Sequence, residues 1–117
     1  MSSVLLICIL SAMSCITPDN FGRKYARVVC QQGFECEAEP FDSYSDIGAC
    51  REAVEASWEA TARYADLFDC EVDYDLGGAC LDEIQNASCD TFESSGWGDI
   101  GACYDMIICE PACDSEG

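Results

Sequence analysis

The sequence predicts an all-α domain, a small disulfide-stapled bundle of about four helices with an internal pseudo-repeat. Three observations carry this expectation. Apolar residues recur every three or four positions through four segments, the period of a helix that buries one face. Cysteine accounts for 11 of the 117 residues, the density of a disulfide scaffold. The segment Asp46-Ile47-Gly48-Ala49-Cys50 recurs unchanged as Asp99-Ile100-Gly101-Ala102-Cys103.

The first helix is expected from Asn20 to Gln32, with Phe21, Tyr25, Val28 and Val29 on one face. The second and longest runs from Ile47 to Phe68, where Ile47, Cys50, Val54, Trp58, Ala62, Ala65 and Phe68 form the stripe. Trp58 on that stripe reads as a core residue. A third helix covers Leu76 to Ala87 through Leu76, Cys80, Leu81 and Ile84. A fourth covers Ile100 to Cys109 through Ile100, Cys103, Tyr104, Ile107 and Ile108. Asp46, Asp75 and Asp99 each stand where a helix N-cap belongs, accepting orphan backbone N–H bonds and complementing the helix dipole. Period-two alternation occurs only around Glu71–Asp75, a short and acidic stretch.

The repeat also organises the cysteines. Each copy is preceded by another cysteine, Cys36 or Cys89, which gives Cys-x13-Cys twice at an offset of 53 and aligns Tyr44 with Trp97. Asp75-Leu76-Gly77-Gly78-Ala79-Cys80 is a looser echo. The expected bonds are Cys36–Cys50 and Cys89–Cys103, each tying a helix start to the loop before it. Pseudo-symmetry between the halves makes Cys30–Cys80 the cross-link between the first and third helices, and Cys70 then takes Cys109 or Cys113. Tyr44 and Trp97 read either as anchors packed over the adjacent disulfides or as an exposed pair that meets a ligand. Zinc is disfavoured: the closest cysteine spacing is Cys109-x3-Cys113, and the chain has no His. A catalytic thiol needs electropositive surroundings, which this chain does not offer.

The N-terminus reads as an export signal. Residues 4–10 are an uninterrupted apolar run, too short to span a bilayer, followed by the small residues Ser11, Ala12 and Ser14. Ala12-Met13-Ser14-Cys15 resembles the bacterial lipobox, in which the bond before a cysteine is cut and that cysteine is lipidated. The resulting division is a signal peptide over 1–14, a short linker or anchor over 15–19, a disulfide-rich helical domain over 20–113, and a tail over 114–117. Cysteine parity pulls the other way, because removing residues 1–14 leaves ten cysteines and lipidation of Cys15 leaves nine.

Charge narrows the function. The chain carries 23 Asp and Glu against five Lys and Arg, a formal net charge of −18. Such a polyanion does not bind nucleic acid through its phosphates, and it meets a membrane only through a lipid anchor at Cys15. From residue 28 onward there are 22 acids and two bases, whereas Arg23, Lys24 and Arg27 cluster in the first helix. Those three form either a membrane-proximal basic patch or a solvated helix face. Without His there is no Ser-His or Cys-His pair. Nucleophile-elbow, phosphate-loop and dinucleotide motifs are absent from the sequence too.

Asp69, Glu71, Asp73 and Asp75 place acids at alternate positions and suggest a weak calcium loop. In the EF-hand register starting at Glu71, however, Leu76 occupies the position that needs Gly, and Asp82 stands where a bidentate Glu belongs. Asn86-Ala87-Ser88 matches a glycosylation sequon, which matters only in a eukaryotic secretory pathway.

The ordering Tyr25…Cys30…Phe34-Glu35-Cys36, Cys50, Tyr74-Asp75…Ala79-Cys80-Leu81…Ala87-Ser88-Cys89 and Cys103 resembles cysteine-rich helical lipoproteins of predatory, myxobacterial-type bacteria. The likeness spans Tyr25 to Cys103. It departs in the uncharged residues before the apolar run and in the additional Cys70, Cys109 and Cys113. The resemblance implies export and supplies no catalytic residue. The expectation is therefore an exported, lipid-anchored, non-enzymatic interaction module of the bacterial envelope, monomeric and without a cofactor, that meets a protein partner. The alternatives are a weak divalent-cation binder and a freely secreted, effector-like protein.

Overall fold

The computed structural model describes residues 16–95 and 101–109. The signal segment, Cys15, Trp97, Asp99, Ile100, Cys113 and the tail lie outside the described residues. Five α-helices are described: α1 (Phe21–Glu35), α2 (Ile47–Leu67), α3 (Gly77–Asn86), α4 (Cys89–Ser95) and α5 (Gly101–Asp105). Strands β1 (Cys70–Val72) and β2 (Ile107–Cys109) form a small antiparallel ribbon. The chain is a small all-α, disulfide-stapled fold.

Helix α1 buries Phe21, Ala26, Val29 and Cys30, with Tyr25 and Val28 half-buried against the same core. It runs three residues past the expected end. Gly33 is interior to the helix because the Phe41 ring lies against it, so that an added Cβ would come within 2.6 Å of the ring's Cδ1. The helix stops instead in a Schellman arrangement around Glu37, whose φ is +51°. Glu37 N–H donates to Phe34 O at 3.2 Å and Ala38 N–H to Gly33 O at 3.0 Å.

Asp46 caps α2, its carboxylate accepting from Ala49 N–H at 2.8 Å. The core stripe holds for Cys50, Val54 and Ala65. It fails at Phe68, which is 60% exposed. The end of α2 packs on β1, where the small Ala65 is buried while the large side chains beside it face solvent.

The expected cap at Asp75 is corrected. A 3-10 turn at Tyr74–Leu76 precedes α3, and the Asp73 carboxylate reaches Asp75 N–H at 3.0 Å. Leu76 then stands at the N-cap of α3 without a side-chain bond. Gly77 permits the close approach, since a Cβ there would meet Ile16 Cγ2 at 2.8 Å and Phe21 Cδ1 at 3.1 Å.

Helix α4 has no counterpart in the periodicity. Ser88 starts it, its hydroxyl accepting from Thr91 N–H at 3.1 Å, and Phe92 lands fully buried against Phe41 with ring centroids 5.7 Å apart. The expected fourth helix is shorter than its pattern. It ends at Asp105, and the β-branched pair Ile107-Ile108 goes into β2 instead. Tyr104 and Ile108, placed on its apolar stripe, are 68% and 50% exposed. The first turn of α5 is fixed from outside, with Ala102 N–H donating to the Glu83 carboxylate of α3 at 2.8 Å.

Four disulfides join these pieces: Cys30–Cys50, Cys36–Cys89, Cys70–Cys109 and Cys80–Cys103. The pairings Cys36–Cys50, Cys89–Cys103 and Cys30–Cys80 are therefore corrected. Cys50 lies in the first turn of α2 and faces back onto the middle of α1, where Cys30 is equally buried. Cys36 sits at the exposed end of α1 and meets Cys89. The repeat survives in part. Cys30–Cys50 ties the middle of α1 to the first turn of α2, and Cys80–Cys103 ties the first turn of α3 to α5, at separations of 20 and 23, so only the Cys50 and Cys103 ends correspond under the repeat. Cys36–Cys89 joins equivalent positions of the two halves, at the repeat's own separation of 53.

Gln32 makes a second link between the halves. It is the buried polar side chain among the described residues, and its amide donates to Ala87 O at the end of α3 at 2.7 Å. Truncation removes the donor to the part-buried Ala87 carbonyl, so Gln32→Ala is expected to lower stability by about 1 kcal/mol, read from denaturant midpoints of the oxidised protein.

Candidate functional site

Aromatic residues from three elements gather around Phe21. Its ring lies 5.5 Å from Tyr25, 4.8 Å edge-on from Trp58 and 6.0 Å from Tyr74. Gly22 allows this, because a Cβ there would come within 2.9 Å of Trp58 Cδ1. Trp58 and Tyr25 are half-buried, packed against the core rather than within it.

Beside this cluster opens a cleft of about 250 Å3. One wall is Phe21 and Tyr25 of α1 with Val54, Ser57, Trp58 and Thr61 of α2. Tyr44, Met106, Ile107, Cys80 and Cys103 also line it. Tyr44 is half-buried against the core, 6.4 Å from the Phe41 ring, and lines the cleft. Apolar and aromatic groups dominate the lining, with hydroxyls from Ser57, Thr61 and the tyrosines. Among the described residues, the lining includes no carboxylate, amine or guanidinium.

The acidic stretch is not gathered into a cage. Asp69 ends α2 in the left-handed region at φ +59°. Glu71 lies exposed on β1 opposite Ile108. Asp73 is engaged by the backbone of Asp75, and Asp75 is exposed. Among the described residues no group of three or more His, Cys, Asp or Glu is placed to hold a metal ion. Arg23 and Arg27 are exposed on α1, and Lys24 is half-buried. Asn86 of the sequon closes α3, its amide donating to Asp82 O at 2.9 Å.

The periodicity reading missed a second surface. Tyr64, Leu67 and Phe68, at the end of α2, are 63%, 72% and 60% exposed. The Tyr64 and Phe68 rings pair at 4.6 Å. Their i, i+3, i+4 spacing is present in the sequence, with Phe68 expected on the core stripe and Tyr64 and Leu67 off it.

Tyr74 titrates late. Burial beside Phe21 raises its phenol above the usual value, and the hydrogen bond from Trp58 draws it only partly back. The neutral form is therefore favoured in the folded state, and stability declines as the pH climbs past the ordinary tyrosine range. In an ultraviolet absorbance titration, Tyr74→Phe is expected to remove a phenol that ionises above the ordinary tyrosine range.

No family model, curated protein or solved structure matches the chain.

Proposed function

We propose that the chain is a non-enzymatic interaction module, exported and held at a bacterial envelope by a lipid on Cys15. The observation that carries the reading is the cleft, whose walls bring apolar and aromatic surface together without a carboxylate, amine or guanidinium among the described lining residues. General acid–base or nucleophilic chemistry needs such groups within hydrogen-bond reach of a reacting atom. Binding does not need them.

Location supports the same reading. Four disulfides in so short a chain belong to an oxidising compartment outside the cytoplasm. No helix among the described residues is long and apolar enough to cross a membrane. The net charge of −18 keeps the domain soluble and favours basic partners. The likeness to myxobacterial-type lipoproteins and the lipobox at Ala12–Cys15 point to the anchor.

Free secretion is the second reading, and cysteine arithmetic favours it. The four bonds use eight cysteines, so removal of residues 1–14 leaves Cys15 and Cys113 as the remaining pair. Intact mass spectrometry of the protein from a lipoprotein-processing bacterium separates the two. The tethered form is expected to begin at an acylated Cys15, to partition into detergent, and to take up one alkylating tag before reduction. Cys15→Ala then moves to the aqueous phase. An unacylated wild type that takes up no tag overturns the anchor in favour of a released protein.

A further inference from the structure

We propose that the exposed end of α2 docks a cationic amphipathic segment of a partner protein, with Tyr64, Leu67 and Phe68 as the apolar seat. The inference rests on the reading of the chain as an interaction module and names the surface and the partner's chemistry. Large apolar side chains scattered singly on a surface need no explanation, but a cluster on one helix face marks an interaction site. Here three such residues lie at i, i+3 and i+4, each more than half exposed. The Tyr64–Phe68 ring pair stiffens the seat before anything binds, which lowers the ordering cost of association.

Charge selects the occupant. Asp66, Asp69 and Glu71 are exposed in the same stretch, and Arg63 is its only cation. The last turn of α2 carries no basic residue, so the negative end of the helix dipole is not offset there. An apolar seat in a negative field fits a partner that presents leucine-like side chains flanked by Lys or Arg. The same field disfavours an anionic lipid surface, and it sets a second copy of this −18 chain against like charge.

The test uses the oxidised protein and, as probe, a short amphipathic peptide built from Lys and Leu, with a Glu and Leu peptide as control. Amide shifts in the isotope-labelled protein are expected to concentrate between Tyr64 and Glu71 on adding the Lys peptide and to be absent with the Glu peptide. Leu67→Ser and Phe68→Ser each weaken binding about tenfold, the effect of removing one apolar anchor. These side chains face solvent, so circular dichroism and melting temperature stay unchanged. Asp66→Asn with Asp69→Asn flattens the salt dependence. Binding that leaves Leu67→Ser and Phe68→Ser as tight as wild type, with shifts spread over other acidic surfaces, overturns this seat while the interaction module stands. Absence of binding by either peptide, or self-association of the chain through this face, overturns the proposal as well.

Discussion

The fold depends on covalent closure against electrostatic repulsion. With 23 acids and five bases, compaction brings like charges together, and screening relieves this only beyond a Debye length of about 8 Å at physiological salt. The core set against that repulsion is modest, built from Phe21, Val29, Phe41, Ile84, Phe92 and Met106 with small residues between them. Each disulfide removes unfolded-chain entropy worth about 2–4 kcal/mol. Two of the bonds, Cys30–Cys50 and Cys80–Cys103, lie inside the core itself, so they serve as packing as well as staples. Cys36–Cys89 then binds one half to the other at the surface.

That arrangement explains how the cleft comes to exist in so small a chain. The cross-repeat bond and the Gln32–Ala87 contact hold α1 against the end of α3. The Cys70–Cys109 bond, with Asp73 N–H donating to Met106 O at 2.7 Å, holds the returning chain against the end of α2. Residues held near these clamps, among them Trp58, Tyr25, Tyr44, Met106, Cys80 and Cys103, line the cleft. Concavity here follows from where the chain is tied, with no large hydrophobic core required.

Helical periodicity made the bundle legible, and the long α2 with its Asp46 cap follows directly from local sequence. What was not legible depended on which side chains face one another. Cys-x13-Cys looks like local closure, yet one cysteine of each such pair belongs to the end of an element and the other to a helix turn that faces a different neighbour. Gly33 looks like a helix stop, and only the position of the Phe41 ring shows why a glycine sits inside α1. Glu37 and Asp69 adopt left-handed φ values without being glycines, so neither helix end carried its usual mark. Ser88 with Thr91 three residues on marks the start of α4, but the helix is only seven residues long and shows no sustained apolar period. As for the site, the aromatic residues were noted individually. Their convergence on Phe21 from α1, α2 and the turn before α3 is a property of the packing alone.

The cleft and the joining of the two halves depend most directly on the pairing of the cysteines. Proteolysis of the unreduced protein at low pH, followed by mass spectrometry of the linked peptides, reads it in one experiment. Peptides joining Cys30 to Cys50, Cys80 to Cys103, and Cys36 to Cys89 are the predicted result. Peptides joining Cys36 to Cys50 and Cys89 to Cys103 would contradict it, separating the halves and removing the clamp that opens the cleft.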